Sequence, residues 1–150
     1  MLSPFYSINR YDMIRQIRKD ELHLLKDDPV RPHIELDWRT RPGKEVYVLE
    51  DNGEITAVVC VAYMDEVPAS EHDLRWPGLS IAVFYTVWSY RKGAGREIIR
   101  QTQEEIKKNN PHVKRYVTLS PLTDMATRFH TRNGAKLIRK SHSAQNFEYN

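Results

Sequence analysis

The segment Tyr90-Arg91-Lys92-Gly93-Ala94-Gly95-Arg96 constrains the fold more than any other stretch of the chain. It follows an apolar run, Leu79 to Trp88, and opens a helix-like segment, Glu97 to Asn109. A strand, a tight basic Gly-x-Gly turn and a helix N-terminus in that order form a phosphate cradle. Unpaired backbone N–H groups and the positive end of the helix dipole converge there. Glycine lets the backbone come close to such a ligand.

Charge is distributed unevenly on either side of this segment. Residues 1–89 hold 10 Lys and Arg against 15 Asp and Glu, a net of −5. Residues 90–150 hold 13 against 5, a net of +8. A basic half suits a polyanion, either nucleic acid or a phosphorylated cofactor, and an acidic half suits a cationic substrate. Ordinary variation in surface sign explains the same numbers. The 150 residues suit a single domain, 1–150, and the 40% hydrophobic content suits a folded core. No apolar run reaches the roughly 18 residues that cross a bilayer, so no membrane partner is expected. The start, Met1-Leu2-Ser3-Pro4-Phe5, lacks the basic-then-apolar order of a secretory signal. Cys60 is the single cysteine, in the run Ala57 to Ala62, and reads as a small buried hydrophobe. A cytoplasmic, reducing setting is the default.

Periodicity predicts the remaining elements. Phe5 to Ile8 reads as a first strand, and Asn9 or Asp12 caps a helix running to about Leu25. Three prolines make residues 29–44 mostly loop, with a helical turn near Ile34 to Trp38. Glu45 to Leu49 and Ile55 to Met64 are strands joined by Asn52-Gly53, a turn that accepts positive φ cheaply. Residues 65–78 are a loop, and Leu79 to Trp88 is a β-branched, aromatic strand. Val113 to Leu119 is a strand. A helix begins at Pro121, runs to Arg132 and is capped by Asn133-Gly134. Lys136 to Lys140 and Asn146 to Tyr149 close the order as strands. The pattern is α/β or α+β, a sheet with helices packed on it.

That order, with that turn in that place, resembles the GNAT superfamily of acyl-CoA-dependent N-acyltransferases. The likeness covers roughly Glu45 to Lys140. The family's pyrophosphate loop, Gln/Arg-x-x-Gly-x-Gly/Ala, is met by Tyr90 to Gly95, with Tyr90 at the Gln/Arg position and Arg91 one residue nearer the glycines. The family's late helix, Ala-x-x-Phe/Leu-Tyr-x-x-x-Gly-Phe, is met by Ala126 to Ala135, with His130 in place of the tyrosine and Ala135 in place of the phenylalanine. The short C-terminal end is also similar to small acetyltransferase-like proteins of tailed bacteriophages. Val117-Thr118-Leu119-Ser120-Pro121 resembles the Thr-Leu-Ser-Pro stretch of malonyl-CoA decarboxylases, whose catalytic domain is GNAT-like.

The resemblance implies a mixed, mostly antiparallel sheet with helices on both faces and a splayed central strand pair. It implies acetyl-CoA as co-substrate and a primary amine as acceptor, with no metal; a homodimer is left open. The pyrophosphate would sit on the N–H groups of Lys92, Gly93, Ala94, Gly95 and Arg96. Arg91, Lys92 and Arg96 would add charge, and Thr86 and Val87 would pair with the pantetheine arm. His130 holds the position of the helix tyrosine that serves as acid for the leaving thiolate. Imidazole can donate a proton near neutral pH, and a helix-surface histidine without a role is the alternative. Ser120 could supply an oxyanion hydrogen bond or cap the next helix. Tyr85 could orient water or substrate, or be a plain strand aromatic. Asp65, Glu66, His72 and Asp73 are the carboxylates and histidine from which a base could reach the cleft.

Two other classes stay open. One is a catalytically degenerate GNAT-fold binding or structural protein, favoured by Tyr90 and by a strand without carboxylates. The other is a nucleic-acid module, suggested by the basic half. It lacks zinc spacing and sheet-borne aromatic pairs, so nucleic acid is not the expected partner.

Overall fold

A computed structural model describes residues 12–150. The strand expected at Phe5 to Ile8 lies outside the described residues. Seven strands form one sheet: β1 (Asp12–Gln16), β2 (Lys44–Asp51), β3 (Glu54–Met64), β4 (Ile81–Ser89), β5 (Arg115–Thr118), β6 (Lys136–Lys140) and β7 (Gln145–Tyr149). Two α-helices, α1 (Ala94–Asn109) and α2 (Asp124–Arg132), pack on it. The sheet order is β1-β2-β3-β4-β5-β7-β6, and every neighbouring pair is antiparallel except β4 and β5.

Both faces of the sheet are covered, which explains why Val58 to Ala62 reads as an unbroken apolar run rather than an alternation. Tyr47, Leu49, Val59, Val61 and Phe84 point to the face carrying Ile98 and Ile106 of α1. Val46, Val48, Val58, Cys60 and Val83 point to the other. Three 3-10 segments, Lys19–Asp27, Asp37–Thr40 and Glu71–Arg75, serve that second face, burying Leu25 and Leu74. The expected helix from Asn9 or Asp12 to Leu25 is therefore corrected. Its first part is the edge strand β1, paired along β2 from Asp12↔Asp51 to Gln16↔Tyr47. Arg15 explains the preference, because it bridges Glu50 on β2 and Glu21 on the following 3-10 segment, each at 2.7 Å.

Smaller shifts have local causes. Leu79 and Ser80 stay out of β4 because their N–H groups donate to the Asp65 carboxylate. α2 starts at Asp124 rather than Pro121 because Thr123 is the N-cap and accepts from the Ala126 N–H at 3.2 Å. Ser120, the other candidate cap, is an isolated bridge partner of Gln145 instead.

The central strand pair is splayed. β4 and β5 pair in parallel only from Ile81↔Arg115 to Phe84↔Thr118. A last hydrogen bond joins Leu119 N–H to the Phe84 carbonyl at 3.1 Å. β4 continues to Ser89, while the chain after β5 turns to pair with Gln145. Tyr85 is a β-bulge at the parting point, since Val61 faces Phe84 and Cys60 faces Thr86.

Candidate acyl-transfer site

The splay opens into a cavity of about 670 Å³. Its walls are β4 from Phe84 to Ser89, the stretch Leu119 to Pro121, and one face of α2 from Thr123 to His130; Gly95 closes one end and Pro29 and Val30 another. Among the described residues, no charged side chain lines it. Tyr85, Thr86, Val87, Gly95, Ser120 and His130, six of the residues singled out by sequence, line this one cavity.

The phosphate loop lies at the Gly95 end. Gly93 is the N-cap of α1 with φ +84°, a conformation that only glycine takes without strain. A Cβ at Gly93 would meet nothing within 4 Å, so the space a ligand needs is open there. Ala94 N–H is used by the Arg91 carbonyl, whereas those of Lys92, Gly93, Gly95 and Arg96 have no backbone acceptor among the described residues. Four open donors at the N-terminus of a 16-residue helix fit a pyrophosphate. Gly95 has a different reason to be glycine. A Cβ there would lie 3.2 Å from the Phe129 ring, so its missing side chain lets α2 close against α1.

The loop's side chains divide. Arg91 is turned onto the β2–β3 hairpin, 2.5 Å from Asp51, 3.7 Å from Glu54 and 3.9 Å from Asp12. Its charge is already met by these carboxylates, so a place among phosphate ligands would require it to leave them. Lys92 and Arg96 are exposed and form no ion pair among the described residues. Tyr90 does not reach toward the phosphates either. Its hydroxyl donates to Asp27 at 2.7 Å and accepts from Trp88 Nε1 at 3.0 Å. Burial pushes that hydroxyl up to about 12.

His130 is a core residue, 5% exposed, and not a helix-surface histidine. Its ring stacks on Phe147, meets Phe129 edge-on, and places Nδ1 2.7 Å from the Tyr149 hydroxyl. Burial pulls the imidazole down to about 4. It is neutral at pH 7, with one N–H. When Tyr149 donates to Nδ1, that proton sits on Nε2, the nitrogen left for a ligand. Ser120 Oγ is 2.7 Å from Thr118 Oγ1, which also accepts the Phe147 N–H at 3.0 Å.

Two expectations fail here. The Tyr85 ring is buried in the second core against Trp38, at 6.2 Å between ring centroids, and Tyr85 is 1% exposed. Its hydroxyl cannot orient a substrate, and the residue contributes to the cavity through its place at the bulge. None of the four candidate bases lines the cavity. Asp65 binds Leu79 and Ser80, Asp73 accepts the Ala69 N–H, His72 lies against Arg75, and Glu66 is exposed. Asp65 and Asp73 close loops rather than face the cavity. Cys60 behaves as expected, fully buried with its thiol pushed up to about 11 by burial.

Three residues that sequence reasoning passed over belong to the site. Tyr149 partners His130, Thr123 caps the helix that carries it, and Arg31 binds both splayed strands from below. Arg31 donates to the Tyr85 carbonyl, to Thr86 Oγ1 at 3.3 Å and to the Leu119 carbonyl at 3.1 Å. Position in a motif could have found none of them. Two lie outside the matched segments, and Thr123 was hidden by the proline before it.

No protein-family model and no curated protein matches the sequence. Solved structures do match. The Bacillus subtilis acetyltransferase in complex with CoA superposes with a TM-score of 0.66 at 11% identity, over 93% of this chain and 98% of that one. A GNAT family acetyltransferase from Elizabethkingia anophelis with acetyl-CoA bound gives 0.60 at 11%, over 93% and 95%. The fold is the GNAT fold. Among its GNAT-fold matches, malonyl-CoA decarboxylase from Rhodopseudomonas palustris gives 0.71 at 19% identity, over 93% of this chain and 56% of that one. The chain spans between 33% and 56% of the decarboxylases it matches. No helix among the described residues is long and apolar enough to cross a membrane.

Proposed function

We propose that this GNAT-fold chain is an acyl-CoA-dependent N-acyltransferase that moves an acetyl group from acetyl-CoA to a primary amine. The observation that carries the reading is one cavity whose lining joins Gly95, in the first turn of α1 beside the open N–H donors, to His130 and Ser120 at the β4–β5 fork. The fit is physical: Gly93 leaves space where a phosphate would sit, and Lys92 and Arg96 flank it.

In direct transfer, the amine nitrogen bonds to the thioester carbonyl carbon. The C–S bond then breaks, the amine loses a proton, and the thiolate gains one. Ser120 Oγ, with Thr118 behind it, offers a hydrogen bond to the oxyanion. Neutral His130 offers its Nε2–H to the departing sulfur as a hydrogen-bond donor rather than as an imidazolium acid. The described residues of the cavity wall include no carboxylate, so on this reading the ammonium of the acceptor loses its proton to water before attack.

That missing carboxylate favours a second reading, loss of CO₂ from a malonyl-type thioester. The bond to the carboxylate carbon breaks, CO₂ leaves, and the enolate takes a proton from water at its α-carbon; the step needs no base, and Ser120 and His130 can donate hydrogen bonds to the enolate oxygen. The Thr-Leu-Ser-Pro stretch and the decarboxylase neighbours support it. Incubation with acetyl-CoA plus mixed amines, and separately with malonyl-CoA, decides between them. N-acetylated amine and free CoA support the first reading; acetyl-CoA and CO₂ support the second. CoA binding without either product leaves the non-catalytic GNAT-fold protein as the answer.

A further inference from the structure

The fork between β4 and β5 opens around a residue that belongs to neither strand. Beyond the Phe84↔Thr118 pair, the Tyr85 and Leu119 carbonyls lose their strand partners. Buried carbonyls need donors. One guanidinium bridges the two: Arg31 Nη1 donates to the Tyr85 carbonyl, which also accepts from Thr86 Oγ1 at 2.7 Å, Nη2 donates to Leu119, and Nε lies 3.2 Å from Glu71. Only arginine presents donors in a rigid planar fork that can do this.

Arg31 is itself fixed in place. It is 5% exposed. Its N–H donates to Asp28 Oδ1 at 2.8 Å, and its carbonyl accepts from Arg39 Nη2 at 2.6 Å. Asp28 Oδ2 pairs with Arg39 at 2.7 Å, and both side chains are fully buried. A buried polar chain from Arg39 through Asp28 thus aims Arg31 at the fork before any ligand arrives.

We infer that Arg31 is a positioning residue whose bridge between the Tyr85 and Leu119 carbonyls sets the aperture of the β4–β5 fork, and with it the seat of the pantetheine arm and thioester. What the fork seats rests on the acyl-CoA reading above; the bridge itself does not.

The test uses the full chain as wild type, Arg31→Met and Arg31→Lys. CoA is compared with adenosine 3′,5′-bisphosphate, which carries phosphates but no pantetheine arm, by titration calorimetry. Hydrogen exchange is read at the Leu119 and Ser120 amides and along α1. Arg31→Met is expected to weaken CoA about tenfold and the bisphosphate less than about twofold, a split of about 1 kcal/mol. Exchange should speed at Leu119 and Ser120 and stay unchanged in α1. Arg31→Lys should show the same split in weaker form, since an ammonium lacks the planar fork. Equal loss for both ligands, or unchanged exchange at Leu119 and Ser120, would overturn the inference. If Arg31→Met does not fold, the same comparison on Arg31→Lys decides. If wild type binds neither ligand, the acyl-CoA reading fails and the exchange comparison alone decides the role of Arg31.

Discussion

The two ends of the cavity are built on opposite principles. At the phosphate end the groups meant for a ligand are backbone N–H donors left open, with Lys92 and Arg96 exposed around them. At the fork the buried charges are paired, Arg39 with Asp28 and Arg31 with Glu71, and the wall residue His130 is neutral. The open end draws in a multiply charged ligand by field and donors, at a small cost in folding. The closed end fixes geometry and excludes charge, and folding stability depends on it. The two arginines make the contrast concrete. Arg91 sits inside the motif yet is held by three carboxylates. Arg31 sits in an unremarked loop yet bridges both strands of the site.

If this contrast is right, the largest effect on folding comes from the closed end. Asp28→Ala strands the Arg39 charge in the core and should destabilise by about 3–5 kcal/mol in denaturant unfolding. A loss below about 1 kcal/mol would mean the pair is dispensable and the closed end is not rigid. Next, at the open end, Gly93→Glu should weaken CoA binding about 100-fold through backbone strain and like-charge repulsion, with a far smaller change in stability. Unchanged CoA affinity would remove the cradle from the molecule.

His130→Phe should lower turnover about 100-fold while CoA affinity stays within about threefold, because only the transition state uses the donor. His130 also gives the closed end a pH signature. Its folded value of about 4 lies below the unfolded value near 6.5, so the unfolded chain binds the extra proton between them. Stability is full above pH 6.5 and falls by up to about 3 kcal/mol as pH drops toward 4. That slope should vanish in His130→Phe; its persistence would assign the acid sensitivity elsewhere. The smallest effect is Arg91→Gln. With its charge already spent on the hairpin, CoA affinity should change by less than about twofold, while Lys92→Gln and Arg96→Gln each cost more. A tenfold loss in Arg91→Gln would show that the arginine leaves Asp51 for the phosphates.

Much of the fold was legible in the sequence, for reasons the structure makes plain. Asn52-Gly53, with both residues at positive φ, fixed the β2–β3 hairpin. The apolar run before Tyr90 and the glycines after it located β4 and α1. Residues 12–25 read as a helix because Met13, Ile14 and Ile17 satisfy a helical face, while the sheet edge and the Arg15 ion pairs decide for a strand at Asp12–Gln16. The place of His130 and Ser120 in one cavity wall was readable from local motifs. Arg31 and Tyr149 were not, since their roles arise from contacts 54 and 19 residues away along the chain. The candidate acids of residues 65–73 misled because loop-closing carboxylates and catalytic ones look alike until their hydrogen bonds are seen.

The contact between Gly95 and Phe129 couples the loop to the late helix. The ring of one occupies the space where the other would carry a side chain. A methyl group gained on the loop presses on that ring by a few tenths of an ångström, so a defect in one should be rescued by a change in the other.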